Sequence, residues 1–202
     1  NCCPGIIPHL TMRLNKHDKT NYLMATKNEQ IEFVRKIYPA AARLYRSGGV
    51  HPLFVTAQAA LETGWKIKGI GNNIFGITKG SSWTGSVSLE LTTEYFKTPS
   101  VKFKAPERVV TIEHVGPCKY KYRVYRYFRN FASLDECLDN HLELLRKPGY
   151  ADAWPYRDDP KEFARRLMDG TGAKYATAPD YAEVMASVID NVARIAKTEG
   201  LL

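Results

Sequence analysis

The hydrophobic pattern changes period twice along the chain. In the first and last thirds, apolar residues recur every three or four positions, as in amphipathic helices. In the middle third, segments 87–96, 107–115 and 119–128 are rich in Val, Thr, Tyr and Phe and alternate in the manner of strands. This order predicts an α+β domain that is mostly helical and carries one small antiparallel sheet.

Local signals predict where the helices begin and end. Thr26 followed by Glu29 is a capping-box pattern, and it predicts a first helix that stops at a glycine pair. A second helix, from Pro52 to Gly64, is so rich in small apolar residues that we expect it to be central and packed on several sides. Later start signals are Ser133 with Glu136, Asp159 before Pro160, and a final helix from about Pro179 to Thr198.

The third strand segment has an irregular charge pattern. In KYKYRV the basic residues occupy odd positions, whereas after Val124 the tyrosines are odd and Arg126 is even. A β-bulge near residues 124–125 would account for this change of phase, because one extra residue moves every following side chain to the other face.

The chain has the size of one globular domain. Its 202 residues are 44% hydrophobic, so we predict an extended lead-in over residues 1–25 and a single domain over 26–202, expected to be a monomer. No apolar run approaches the roughly 18–20 residues of a membrane-spanning helix, so no transmembrane segment is expected.

Cysteine spacing argues against a metal site. No Cys-x-x-Cys or Cys/His ligand spacing occurs, so we expect no metal. Cys118 and Cys137 either form a disulfide in an exported protein or are two buried thiols, and both alternatives stay open. Cys2 and Cys3 near the start fit a lipid-anchored exported protein.

Positive charge is concentrated in the strand region. The net charge is +8, and residues 97–129 alone hold nine Lys or Arg against Glu107 and Glu113. Such a field indicates an anionic polymer as partner, either a nucleic acid or an acidic cell-wall glycan, with a merely solvated basic surface as the alternative.

Glu62 is the first candidate for chemistry. It lies in the last turn of the predicted central helix, before Gly64 and Trp65. The negative end of the helix dipole and apolar surroundings both raise the pKa of a carboxyl, which suits a general acid. The alternative is an ordinary exposed glutamate in a last turn.

The segment that follows Glu62 has the composition of a sugar-binding loop. Aromatic faces stack on sugar rings, and amides bind hydroxyl and acetamido groups. Between residues 64 and 85 such side chains alternate with glycines, and they include Trp65, Asn73, Phe75 and Trp83.

These motifs together resemble a known family. ALETGW, NNIFGI and SSWTG, then LTTEYF at 91–96 and AKYATAPDYAEVM at 173–185, are similar to glycoside hydrolase family 73, the peptidoglycan-cleaving glucosaminidases. The resemblance covers about residues 28–197. It implies a lysozyme-like α+β fold in which a β-hairpin lobe closes over a cleft.

The resemblance also implies roles for single residues. Glu62 matches the catalytic acid, Glu94 the second acidic residue of the TTEY motif, and Tyr175 a tyrosine near the cleft. Trp65, Asn73, Phe75, Trp83 and Tyr95 are candidates for substrate binding or cleft scaffolding. Lys66 stands where the family has a glycine after GW, a departure that concerns only the following turn. Lys174 stands where the family's GYAT motif has a glycine, which puts the position of Tyr175 in question. For Glu94, a solvent-facing strand carboxylate is the alternative.

We therefore expect an exported peptidoglycan hydrolase that cleaves the β-1,4 bond beside N-acetylglucosamine, with no metal or organic cofactor, since two carboxyl groups suffice. An N-acetylmuramidase or a lytic transglycosylase on the same fold is the nearest alternative. A non-catalytic binder of glycans or of nucleic acid is the more distant one, and no nucleic acid partner is expected.

Overall fold

The computed structural model describes residues 25–67, 70–169 and 181–202. Within these ranges the chain forms five α-helices and one three-stranded antiparallel sheet, so the predicted α+β class is confirmed. Apart from residue 25, the predicted N-terminal lead-in lies outside the described residues, and so does Tyr175.

The helices begin and end close to their predicted signals. The Thr26 hydroxyl accepts a hydrogen bond from the Glu29 amide at 3.3 Å, and the Glu29 carboxylate accepts one from the Thr26 amide at 2.7 Å, which confirms the capping box. The Ser133 hydroxyl caps the third helix by accepting from the Glu136 amide. The helices are α1 (Lys27–Arg46), α2 (Pro52–Thr63), α3 (Leu134–Leu145), α4 (Pro160–Asp169) and α5 (Tyr181–Thr198).

Helix α2 is the central element of the helical body, as predicted. It packs against α1, α4 and α5. Nine of its twelve residues are buried, from Pro52 to Leu61 with the exception of Leu53. Small side chains such as Ala57 and Ala60 allow neighbouring helices to approach closely, so only the last turn of α2 reaches the edge of the core.

The sheet forms a lobe beside the helices. Its strands are β1 (Val87–Phe96), β2 (Arg108–Gly116) and β3 (Lys119–Arg129), in the order β1-β3-β2. Side chains alternate between two faces. We call the face that carries the even-numbered residues of β1 and β3 the inner face, since it contains the buried Thr92, Glu94, Tyr122 and Val124. The odd-numbered residues form the outer face.

The predicted bulge in β3 is wrong in its position. The register between β1 and β3 is unbroken from Val87 opposite Arg129 to Phe96 opposite Tyr120. The irregularities lie in the partner strand β2, at Val110, between the pairs formed by Val109 and Thr111, and at Val115, between those formed by His114 and Gly116. Arg126 occupies an even position because two carboxylates hold it on the inner face. The switch of basic residues from odd to even positions therefore comes from this charge pairing and not from an extra residue in β3.

The cysteines fit neither alternative in full. Cys118 is exposed, Cys137 is buried, and the two do not form a disulfide with each other. Burial raises the pKa of the Cys137 thiol to about 12. None of the helices in the described ranges has the length and hydropathy of a membrane span.

Candidate active site

The last turn of α2 brings Glu62 to the edge of the helical core. Gly64 ends the helix in the left-handed conformation (φ 60°, ψ 41°), where its N–H donates to the Ala60 carbonyl. Glycine is favoured there because a Cβ would be strained. Glu62 is half-buried, and its Oε1 atom has almost no contact with solvent. The carboxyl therefore lies where the helix ends and the polypeptide turns away.

Two polar side chains near Glu62 were missed by sequence reasoning. Gln58 lies one helical turn before Glu62 on α2, and Tyr181 begins α5; both are completely buried. Burial raises the pKa of the Tyr181 phenol far above its usual value, the negative charge of Glu62 raises it further, and Gln58 acts in the opposite direction. The hydroxyl of Tyr181 is therefore within electrostatic range of Glu62.

A signal for Gln58 was present in the sequence. A glutamine in the apolar run AQAALE, four residues before the glutamate, must lie on the same helix face. Tyr181 lies within the motif AKYATAPDYAEVM, but nothing in its local spacing indicated contact with α2, which depends on how the last helix packs.

Asn73 ties the sugar-binding loop candidate to the sheet. Its side-chain amide donates to the carbonyls of Ile77 (2.8 Å) and Arg129 (2.9 Å), and its Oδ1 accepts from the Ile77 amide at 2.9 Å. The side chain is 8% exposed. The structure therefore uses Asn73 as a cross-link between the loop and β3.

Phe75 fixes the same loop to the helical body. Its ring stacks on the His141 imidazole with 3.8 Å between centroids and an interplanar angle of 9°. Both side chains are buried. Burial lowers the pKa of His141 to about 3, so the imidazole is neutral and packs as an aromatic ring.

The two tryptophans occupy different environments. Trp65 is buried in the core against Phe33, with 5.7 Å between ring centroids. Trp83 is half-buried; its indole N–H donates to the Ser86 carbonyl at 3.0 Å. The Arg129 guanidinium lies 4.9 Å from the Trp83 ring centre. Of these two tryptophans, Trp83 is therefore the one whose indole has surface that a ligand could contact.

Glu94 is buried on the inner face of the sheet. It lies opposite Tyr122 in the β1–β3 register and is 2% exposed. The alternative of a solvent-facing carboxylate is therefore wrong. A carboxylate at such a position needs a compensating charge or polar partners.

Arg126 supplies positive charge beside Glu94. Its Nη1 lies 4.0 Å from Glu94 Oε1, and its Nε donates to Glu107 Oε1 at 3.1 Å. Glu107 also accepts from the Tyr127 amide at 2.8 Å, and the guanidinium lies 5.1 Å from the Phe103 ring centre. The segment between β1 and β2 thus covers the inner face and encloses one cation between two carboxylates.

Tyr95 does not join Glu94. Because neighbouring residues of a strand point to opposite faces, Tyr95 lies on the outer face, where the Lys119 ammonium is 5.1 Å from its ring centre. The structure therefore separates two residues that the TTEY motif places side by side.

Tyr175 lies outside the described residues, so the structure gives no position for it. In the described ranges, no group of three or more His, Cys, Asp or Glu is arranged to hold a metal ion.

Comparison with known proteins identifies relatives across most of the chain. The family model "Glucosaminidase: Mannosyl-glycoprotein endo-beta-N-acetylglucosaminidase" matches residues 38–194. The peptidoglycan hydrolase FlgJ of Pseudomonas aeruginosa is 30% identical over 165 residues, which cover 78% of this chain and 35% of that protein. FlgJ of Escherichia coli K12 is 30% identical over 195 residues, 92% of this chain and 54% of that protein. The chain thus spans about a third to a half of these curated relatives.

Solved structures agree with the sequence matches. A crystal structure described as a peptidoglycan hydrolase mutant from Sphingomonas sp. A1 superposes with a TM-score of 0.62 at 31% identity, covering 83% of this chain and 99% of that one. The glycoside hydrolase domain of FlgJ from Salmonella typhimurium gives 0.59 at 26% identity, covering 82% and 98%. These neighbours support the predicted lysozyme-like α+β fold. The chain belongs to the glucosaminidase family, glycoside hydrolase family 73.

Proposed function

We propose that this domain is a glycoside hydrolase that cleaves the β-1,4 bond of peptidoglycan on the N-acetylglucosamine side, with Glu62 as the general acid. The observation that carries the proposal is the position of Glu62 at the end of a buried helix, where it is half-enclosed and one of its carboxyl oxygens has almost no contact with solvent. The negative end of the helix dipole and partial burial both favour a carboxyl that keeps its proton until the leaving oxygen needs it.

Glu94 fits the role of a charge stabiliser better than that of a free base. A base that activates water must reach the substrate, whereas Glu94 is 2% exposed and lies beside Arg126. We infer that it stabilises positive charge as the oxocarbenium-like transition state develops, while the acetamido group of the substrate attacks the anomeric carbon. Such stabilisation acts through space and does not require the carboxylate to touch the sugar.

The aromatic and amide candidates form two groups, which differ in how exposed the side chains are. Trp83 has accessible surface and is proposed to contact the sugar. Trp65, Asn73 and Phe75 are engaged inside the protein and are proposed to hold the loop in place. Tyr175 remains a proposed cleft residue, and the support for this proposal is its sequence motif.

The substrate sets the expected location. Peptidoglycan lies outside the cytoplasmic membrane, so we propose that the domain acts in the cell envelope or outside the cell, as a monomer on glycan strands. No cofactor enters the mechanism, because proton transfer and charge stabilisation are supplied by carboxyl groups.

Product analysis tests the proposal. Purified peptidoglycan is digested, the reducing ends are converted to alditols with borohydride, and the fragments are identified by mass spectrometry against a sample without protein. We expect N-acetylglucosaminitol ends. Muramitol ends would instead assign a muramidase, 1,6-anhydro ends a lytic transglycosylase, and unchanged glycan would leave a binding protein.

A further inference from the structure

We propose that the outer face of the sheet is a docking surface for the peptide stems of peptidoglycan and binds their carboxylates. This inference rests on the proposed function, because it takes the polymer cut at the active site as the partner. It concerns the side of the lobe that faces away from Glu94.

Cations outnumber carboxylates on the outer face. Arg108 lies opposite Tyr125, and Lys121 and Arg123 follow along β3, with Lys119 at its start. Among the residues of the three strands, Glu113 is the one carboxylate on this face, 3.3 Å from Lys121. Arg123 donates to the neutral hydroxyl of Thr93 at 3.0 Å, so its charge is not neutralised there.

The cations on the two faces of β3 differ in burial and in their acidic neighbours. Arg126, on the inner face, is shared by Glu94 and Glu107 and is almost buried. Arg108, Lys119, Lys121 and Arg123 on the outer face are exposed or half-exposed, and the ion pair found among them in the described residues is that of Lys121 with Glu113. Arg126 therefore has a structural role as the counter-charge of two carboxylates, and this role does not account for the cations on the outer face.

Tyrosines hold several of these cations in place. The Arg108 guanidinium lies 4.1 Å from the Tyr125 ring centre, and Lys79 lies 5.5 Å from that of Tyr127. Lys119 lies over Tyr95 in the same way. Such cation–π pairs fix the positions of long side chains. They also occupy ring surface on which a nucleobase would stack, which favours recognition by charge over nucleic acid binding.

The dimensions of the face fit a polymer. The row from Lys119 to Arg108, which lies opposite Tyr125, spans about 20 Å at roughly 3.3 Å per residue, with alternate side chains on the same side about 6.6 Å apart. A ligand that contacts the whole row is extended and carries repeated negative charge. Peptidoglycan stems supply repeated carboxylates, so no additional partner is required.

Binding is measured in a Glu62→Gln background, which prevents digestion, by co-sedimentation with purified peptidoglycan free of phosphate polymers. The outer-face variant carries Arg108→Gln, Lys121→Gln and Arg123→Gln. Its control carries Lys27→Gln, Lys36→Gln and Lys197→Gln, which remove the same charge from exposed helical positions. Both are compared on native peptidoglycan and on peptidoglycan whose carboxyls have been amidated.

In 50 mM salt we expect the outer-face variant to bind native peptidoglycan about tenfold more weakly, since three exposed contacts contribute two- to threefold each. The control variant should stay within twofold. The difference should disappear on amidated peptidoglycan and shrink at 300 mM salt. With Glu62 restored, hydrolysis of uncharged chito-oligosaccharides should stay within twofold. If the triple variant is unstable, Arg123→Gln alone should still weaken binding by two- to threefold.

Three results would overturn the inference: equal losses in both triple variants, an undiminished loss on amidated peptidoglycan, or single-stranded DNA bound more tightly than peptidoglycan through the same residues. Failure of the proposed function is a separate result. In that case the active protein does not cut peptidoglycan. The comparison of peptidoglycan binding between the two triple variants still tests the docking surface.

Discussion

Replacing Arg126 by Met tests how the lobe holds Glu94. The change keeps an unbranched apolar side chain and much of the volume but removes the cation that lies between Glu94 and Glu107. Both carboxylates would then be left in a region where Glu94 is 1% exposed and Glu107 is 19% exposed at the side-chain level. The variant should therefore lose stability through uncompensated charge and not through lost packing.

The distances set the size of the effect. At 4.0 Å and an effective dielectric constant of 20, one ion pair contributes about 4 kcal/mol before desolvation is subtracted. Removal of one partner of a buried pair usually costs about 3–5 kcal/mol. Because the Arg126 side chain is 12% exposed, we expect the free energy of unfolding to fall by about 3 kcal/mol at pH 7.

Urea unfolding of the purified variants measures this loss, with Arg123→Met on the outer face as the matched control. Arg123→Met should change the free energy of unfolding by less than about 0.5 kcal/mol, as expected for an exposed residue. Adding Glu94→Gln to Arg126→Met should recover part of the loss, because it removes one uncompensated charge. Equal effects of Arg126→Met and Arg123→Met, or no recovery in the double variant, would refute the reasoning.

Three further outcomes are expected. Asn73→Ala should lower the free energy of unfolding by about 2–4 kcal/mol in urea titration, because it removes two buried hydrogen bonds and one that is partly buried; a loss below 1 kcal/mol would contradict the anchoring role. His141 is neutral in the fold with a pKa of about 3, whereas an unfolded histidine titrates near 6.5, so folding stability falls as the pH drops below 6.5. His141→Leu should remove about 3 kcal/mol of the stability difference between pH 7 and pH 4, and an unchanged difference would disprove burial of the neutral ring. Glu94→Gln should slow peptidoglycan hydrolysis less than Glu62→Gln does, with the β configuration retained in early products by proton NMR; an inverted product would instead indicate water activated by a carboxylate.

Features that depend on neighbouring residues in the sequence were predictable. The capping box of α1 joins residues three positions apart, and the stop of α2 depends on Gly64, so their hydrogen bonds were evident from local spacing. The strands also fell close to the predicted segments, because their alternation reflects which face is buried. Glu62 was placed in a last turn by the same local reasoning.

Features that depend on contacts between distant segments were not predictable. The even position of Arg126 was interpreted as a bulge because Glu107, its partner, lies in the connection that covers the inner face. The proximity of Tyr181 to Glu62 depends on the packing of α5 on α2. Asn73 carried the chemistry of a sugar-binding amide, and only the fold shows that backbone carbonyls already use it.

The role of Glu62 is tested most directly by the rate at which Glu62→Gln releases soluble fragments from purified peptidoglycan. Glu32→Gln, an exposed substitution of the same chemistry on α1, is the control. Loss of a general acid costs on the order of 10²–10⁴ in rate, so Glu62→Gln should fall by at least about a hundredfold with its unfolding transition unchanged, while Glu32→Gln keeps the parent rate. A folded Glu62→Gln protein that works at a tenth of the parent rate or faster would contradict the assignment of Glu62 as the proton donor.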